Sequence, residues 1–358
     1  VSKIAIVGVR GIPNRYGGFE RLVEVLAPHL VAQGHDVTVF CAGDGHEVDD
    51  VWNGVHRRFI PAAPGARGTL AYDLAAFRAV PPQAVALIFG YGTAVYQSLL
   101  RARGIRHAVN MDGIEWQRRK WSGIAKLWLR AGEFAASRLS TELIADHPAI
   151  QADLARRLGV RSTMIAYGVD LNRPEAPAHP LLDRLGDGKY MLVIARPEPE
   201  NQIHVLLDAY SRQERGMPLL VIGDFTANDY GRALIERYPS VEFFGPLYDA
   251  AVLDALRARA YFYLHGHSVG GTNPSLIEAM AAGATVVAHD NIYNRWVLGD
   301  GGLFFSGAEA LSVILSEGCT EARRRSLVTA AIARCRADFM WDDILAAYAG
   351  VVDRLAAR

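Results

Sequence analysis

Short β-branched runs alternate with segments of helical period along most of the chain. In the first half the strand-like runs are KIAIVGV, DVTVF, HRRFIP, VALIF, RHAVN and TELIAD, with TMIAYG last. Between the first two, Phe19, Leu22, Val23, Leu26 and Leu30 fall on one face of a helix. Residues 169–187, VDLNRPEAPAHPLLDRLGD, are proline-rich, largely polar and without clear periodicity, and read as a linker. The alternation then resumes with YMLVIAR, PLLVIGD, VEFFG, AYFYLHG and TVVAHD. Such a pattern predicts an α/β protein with parallel sheets flanked by helices. The closing stretch MWDDILAAYAGVVDRLAAR carries one apolar stripe, Trp341, Ile344, Leu345, Tyr348, Val352 and Leu355. By its pattern alone this helix packs either on the second domain or back on the first. The expected organisation is a domain over 1–168, a linker over 169–187, a domain over 188–340 and a final helix over 341–358. Two such sheets placed face to face would form a cleft at the carboxyl ends of their strands, where ligands bind in folds of this kind.

A chain of 358 residues, 51% of them hydrophobic, suits two domains with separate cores. Lysine plus arginine (38) equals aspartate plus glutamate (38), so bulk charge gives no attraction to nucleic acid. Three scattered cysteines, Cys41, Cys319 and Cys335, argue against a disulfide framework or a zinc site and for a reducing, cytoplasmic setting. The opening VSKIAIVGV reads as a strand rather than a signal peptide. No apolar run approaches the ~20 residues of a membrane-spanning helix.

Four stretches carry candidate chemistry. VGVRGIPNRYGGFERL is a glycine-rich strand-to-helix turn, yet its spacing is not the G-x-G-x-x-G dinucleotide fingerprint, and strand two ends in Phe40-Cys41-Ala42 without the expected acid. Gly17 and Gly18 at the helix start leave backbone amides open to an anion, with Arg10, Arg15 and Tyr16 beside them. In VIARPEPENQIHVLLDAY, Arg196 follows a strand end, Pro199 and Glu200 open a helix, and a guanidinium so placed can grip a diphosphate through paired hydrogen bonds. In YFYLHGHSVGGTNPSLIEAMAAGATVVAHDN, the strand stops at His265, and a loop through His267, Gly270, Gly271 and Thr272 leads to an Asn273 cap and Pro274. Glu278, about one turn in, suits neutral hydroxyls such as a ribose diol better than a phosphate. In VNMDGIEWQRRKWSGIAKLWLR, Asp112 and Glu115 follow a strand end. Basic side chains including Arg119 interleave there with Trp116, Trp121 and Trp128, a mixture that fits a phosphate-bearing acceptor, a membrane surface or a solvated helix burying its tryptophans. There is no D-x-D metal motif and no nucleophile-plus-base pair.

Taken together these motifs resemble retaining glycosyltransferases of family 4 with the GT-B fold. The resemblance rests on the N-terminal Gly-Gly turn, the R-x-x-P-E turn at 196–200, the loop reaching Glu278-Ala279-Met280 and LGDGGLFF at 298–305. VGVRGIPNRYGGFE, DGIEWQRRKW and HGHSVGGTNPSLIEAM are similar to a bacterial rhamnosyltransferase-like branch. The resemblance implies two Rossmann-like domains, a final helix crossing back to the first, and metal-independent hexosyl transfer from a nucleoside diphosphate sugar, with no resident cofactor. It places Gly17, Gly18, Arg196 and Asn201 at the diphosphate, and Gly270, Gly271, Thr272, Asn273 and Glu278 at the sugar and nucleoside. Asp112, His265 and His267 become the catalytic candidates. Arg15, Tyr16, Glu115, Trp116 and Arg119 fall on the acceptor side, the acceptor being a glycan, a lipid-linked sugar or a small molecule, with peripheral membrane contact as one option. Three positions depart from the family pattern: Gly270 and Trp296 stand where glutamates are usual, and Asn201 where a lysine is. These departures suit either a deoxy or L-configured donor or a weakened enzyme. A sugar-nucleotide epimerase and a nucleotide-sugar-binding protein are the rival readings.

Overall fold

A computed structural model describes residues 1–118, 121–171, 175–186, 189–212 and 216–357. The chain divides into two compact units, the first comprising Val1–Gln117, Trp121–Tyr167 and Asp342–Arg358, the second built on Gly168–Trp341. Each is a parallel sheet with helices, so both are Rossmann-like.

In the first unit the strands are β1 (Lys3–Val7), β2 (Asp36–Gly43), β3 (Asp50–Trp52), β4 (Val55–Pro61), β5 (Ala84–Phe89), β6 (His107–Asn110), β7 (Glu142–Ala145) and β8 (Thr163–Met164). They run in the order β3-β4-β2-β1-β5-β6-β7-β8, parallel except for the β3–β4 pair. Every residue of β5 is buried, as expected where helices cover both faces of a central strand. The strand order reverses between β1 and β5. There Gly8, at φ +92°, lets the chain leave β1 where a side chain would meet the Phe89 carbonyl oxygen at 2.3 Å.

The second unit holds β9 (Met191–Ile194), β10 (Leu219–Ile222), β11 (Glu242–Phe244), β12 (Phe262–His265), β13 (Val286–His289) and β14 (Gly302–Phe305). Their order, β11-β10-β9-β12-β13-β14, reverses between β9 and β12. In parallel sheets that reversal opens a crevice beyond the carboxyl ends of the two central strands. Its core packs Ile203, Leu206 and Leu207 against the sheet, all fully buried.

Several local expectations need correction. The β3–β4 hairpin was not anticipated, although Asn53-Gly54, both at positive φ, is a strong hairpin-turn signal. TMIAYG yields only the two-residue β8, and LGDGGLFF supplies an extra edge strand, β14. Within the expected linker, Pro180–Leu185 is helical, capped by His179, with Leu181 and Leu182 buried. Pro199–Asn201 forms only a 3-10 turn. Gln202 at φ +48° interrupts it, and the α-helix begins at Ile203.

The final helix, Trp341–Ala357, packs on the first unit. All six stripe residues are buried, Tyr348 lies 6.1 Å from Phe89 ring to ring, and Arg354 pairs with Glu142. The outgoing and returning chains are themselves hydrogen-bonded, Val169 N donating to Phe339 O at 2.7 Å and Trp341 N to Val169 O at 3.3 Å. The helix is anchored by one buried polar contact, Asn110 Nδ2 donating to the Tyr348 hydroxyl at 2.7 Å. Tyr348→Phe leaves that buried amide short of an acceptor. Its expected cost is about 1–3 kcal/mol, read as a lowered melting temperature in calorimetry.

Candidate functional site

The second unit gathers its candidate residues at the β9/β12 reversal. Two segments leave the sheet side by side there, Ala195 to Asn201 after β9 and Gly266 onward after β12. Gly266 passes so close to the first segment that a Cβ would sit 2.3 Å from the Asn201 carbonyl oxygen. Both the amide and the hydroxyl of Ser268 donate to the Glu200 carbonyl at 2.9 Å. Asn201 Nδ2 donates to Arg196 O at 2.8 Å, and Asn228 Nδ2 to Pro197 O at 2.8 Å. The turn is therefore rigid, while the Arg196 side chain it carries is exposed and has no carboxylate or hydrogen-bond partner among the described residues. Asn201, expected at the diphosphate, uses one amide hydrogen to fix this turn.

The β12 end places two imidazoles in a stack, His265 over His267, with centroids 4.3 Å apart and planes within 8°. His265 is 1% exposed, and neither ring nitrogen has a partner among the described residues. Burial, with the neighbouring His289 charge, pushes the His265 pKa down to about 3. Burial also drives His267 well below its usual value, helped by the charges of His265 and of arginines including Arg196. Both rings are therefore neutral at pH 7 and serve as hydrogen-bonding groups rather than charges. The His267 carbonyl accepts from Asn291 Nδ2 at 3.0 Å and Asn294 Nδ2 at 2.9 Å, which fixes the loop on its other side.

From this loop the helix Pro274–Ala281 begins as expected, Asn273 Oδ1 accepting from the Ser275 amide at 3.0 Å. Thr272 is buried; Gly270 and Gly271 are part-buried. Glu278 is tied by Oε2 to Arg257 at 2.5 Å, and Arg257, 3% exposed, also binds Asp254 at 2.8 Å. Glu278 is thus oriented by a buried cation, with Oε1 left for another donor. Trp296 is no site residue: its ring packs against Phe339 and under Arg334.

In the first unit, the 8–18 loop is held by acids that the sequence reading passed over. Glu20 Oε1 accepts from the Arg10 amide and Glu24 Oε1 from the Asn14 amide, both at 2.9 Å, while Asn14 Oδ1 accepts from the amides of Tyr16 and Gly17. No side chain caps the helix Gly18–Ala32, and Arg15 and Tyr16 are exposed. The Glu20 carboxylate lies 3.3 Å from where a Gly17 Cβ would stand, an acid where a phosphate was expected. Asp112, at φ +51°, donates its amide to Asn110 Oδ1 at 2.9 Å. Glu115 and Trp116 make local contacts: Glu115 accepts from Trp121, and Trp116 donates to Glu133 beneath the guanidinium of Arg130, 4.2 Å from its ring. Arg119 lies outside the described residues. A further buried acid, Asp73, accepts from the Thr93 hydroxyl at 2.9 Å, and burial pushes it up to about 6. Nothing in its local sequence, AYDLAAF, marks it. Asn291 caps the helix Ile292–Leu298, its side chain accepting from the amides of Tyr293 and Asn294. Among the described residues, no three His, Cys, Asp or Glu side chains converge as a metal site, and no helix is long and apolar enough to cross a membrane.

Two Rossmann-like units, with the last helix returning to the first, define the GT-B architecture. Residues 1–170 match a family model described as Domain of unknown function (DUF1972), and residues 181–312 match Glycosyl transferases group 1. Among solved structures, sucrose-phosphate synthase from Thermosynechococcus elongatus superposes with a TM-score of 0.82 at 21% identity, covering 100% of both chains. Anabaena HepE in complex with UDP and glucose gives 0.76 at 18% identity, over 98% of this chain and 99% of that one. Phosphatidyl-myo-inositol mannosyltransferase of Mycobacterium tuberculosis is 33% identical over 160 residues, 42% of each chain. The enzyme of Mycolicibacterium smegmatis is 32% identical over 163 residues, 42% of this chain and 41% of that one. The match thus spans less than half the length of these curated relatives.

The buried neutral imidazole sets a pH dependence. An unfolded chain protonates His265 below its ordinary pKa of about 6.5, and the folded chain does so only near 3. Stability contributed by the neutral ring is therefore intact above the unfolded value and is lost as pH falls from there. Relative to His265→Phe, the wild type should lose about 1–2 kcal/mol between pH 6.5 and pH 5, read from parallel melting curves. Equal slopes in the two proteins would show that the ring titrates normally.

Proposed function

We propose that the chain is a retaining, metal-independent glycosyltransferase. It moves a hexosyl group, such as rhamnosyl or another deoxyhexosyl group, from a nucleoside diphosphate sugar to a hydroxyl of a glycan, lipid-linked or small-molecule acceptor. One observation carries this reading: a guanidinium at Arg196 unpaired among the described residues, two neutral imidazoles and an oriented carboxylate at Glu278 share the β9/β12 end of one sheet. The group 1 family match over 181–312 covers this region. The Anabaena neighbour crystallised with UDP and glucose and the mannosyltransferase relatives support the same class of donor.

In this mechanism Arg196 and the loop amides before Pro274 neutralise the departing diphosphate as the bond to the sugar C1 breaks. The loop amides are held in place beforehand, so little reorganisation of the backbone opposes the step. Oε1 of Glu278 accepts from ribose hydroxyls while Arg257 fixes Oε2. His265 and His267, being neutral, hydrogen-bond donor hydroxyls. No protein nucleophile stands out, which fits front-face attack with the leaving phosphate receiving the acceptor proton. Asp112 and Glu115 are the acceptor-side candidates. The space around Gly270, where no atom lies within 4 Å of a Cβ position, leaves a sugar hydroxyl without a carboxylate and favours a deoxy donor.

Arg196→Ala should weaken binding of a nucleoside diphosphate by about 1.5–3 kcal/mol, the range for charged hydrogen bonds. Unchanged affinity of UDP, dTDP and GDP in calorimetry would remove the assignment. Glu278 is better tested as Glu278→Gln than as alanine, because truncation strands the buried Arg257. Nucleotide affinity should fall while the melting temperature holds. Incubation with a panel of nucleotide sugars and acceptors then reads the reaction: transferred product supports the proposal, whereas isomerised donor or binding without conversion replaces it.

A further inference from the structure

We propose that the outward face of helix Gly123–Leu139 docks on an anionic lipid bilayer. The helix is held to the first unit by its inner face. Leu129 and Ala136 are buried, and Gly132 approaches the Tyr91 carbonyl so closely that a Cβ would sit 2.5 Å away. Glu133, the only acid of the helix, is also on that inner face, 3% exposed and bound to Arg157 at 2.7 Å. What remains outward is unusual. Ile124 is 86% exposed, Leu127 69%, Phe134 54% and Trp128 42%. With Ala131 they form one stripe at helical spacing, and the other exposed side chains of the helix are those of Arg130 and Arg138.

A solvated helix face ordinarily carries charges of both signs or neutral polar groups, as helix Glu321–Asp338 does with Glu321, Arg323, Ser326 and Thr329. The 123–139 face carries neither an acid nor an exposed uncharged polar side chain. Most other exposed large apolar residues, such as Tyr248, Ile292 and Val313, are scattered. Trp128 donates its indole N–H to the Gly92 carbonyl at 2.7 Å, so its polar atom is satisfied without water. Apolar residues flanked by arginine only are the composition of helices that lie in a headgroup layer: the stripe enters the acyl boundary and the guanidinium groups meet lipid phosphates. This inference does not depend on the transferase reading, since its test needs no donor or acceptor.

The full chain is sedimented with vesicles of phosphatidylcholine alone and of phosphatidylcholine containing phosphatidylglycerol. Binding should favour the anionic vesicles and fall as salt is raised. The double variant Leu127→Glu, Phe134→Glu should stay in the supernatant with an unchanged melting temperature, as these side chains are exposed. Arg130→Gln with Arg138→Gln should lower the partition coefficient roughly tenfold or more. Wild-type protein left in solution with both vesicle types would overturn the proposal, as would glutamate variants that bind like wild type. A dimer in sedimentation velocity that Leu127→Glu dissolves would overturn it too, assigning the face to a second copy.

Discussion

The site depends on how closely two neighbouring parallel strands can release their chains at the point where the strand order reverses. After β9 and β12 the polypeptide turns in two directions from adjacent starting points, and the turns touch. Only the absence of a side chain at Gly266 allows the Asn201 carbonyl to lie where it does. Once that contact exists, the two bonds of Ser268 to Glu200 and the bond of Asn201 to Arg196 close around it. Polar groups left without water in such a turn must find each other. The result is a stiff platform that carries the exposed Arg196 side chain, which has no partner among the described residues.

Charge is handled in the same way elsewhere. Two ion pairs each have one buried member: Arg257 with the part-buried Glu278, and Glu133 with the part-buried Arg157. A buried ion that lost its partner would carry a desolvation cost larger than the pair's net worth. Such pairs orient their members, and they do so at functionally exposed places. Arg257 fixes Oε2 of Glu278 one turn into the helix that follows the 270–273 loop. Glu133 holds Trp116 and frees the opposite face of its helix from any negative charge.

The final helix ties the first unit's sheet to the same logic. Asn110, at the end of β6, donates to Tyr348 in that helix and accepts from the amide of Asp112. One buried side chain therefore links the last helix of the chain to the turn that carries an acceptor-side candidate. The helix is apolar along one stripe and needed a sheet to cover, and the first unit supplies it.

Period and turn chemistry made much of this legible beforehand. Alternating strand and helix periods marked both sheets, the Asn273-Pro274 pair marked the helix start, and the stripe from Trp341 to Leu355 marked a buried helix. Those signals are local, set by which residues a backbone conformation tolerates within a few positions. What the sequence left open needed distant partners. The stripe did not say which unit would bury it, and nothing near Asn201 announced that its amide donates to Arg196 O. Glu20 and Asp73 carry no motif in their local sequence, yet the fold buries them. Trp116 and Trp128 could equally be core or surface, and only packing separated them. A side chain's chemistry is written in its type, but its solvation and its partner are properties of residues tens or hundreds of positions away, and only the tertiary structure brings those together.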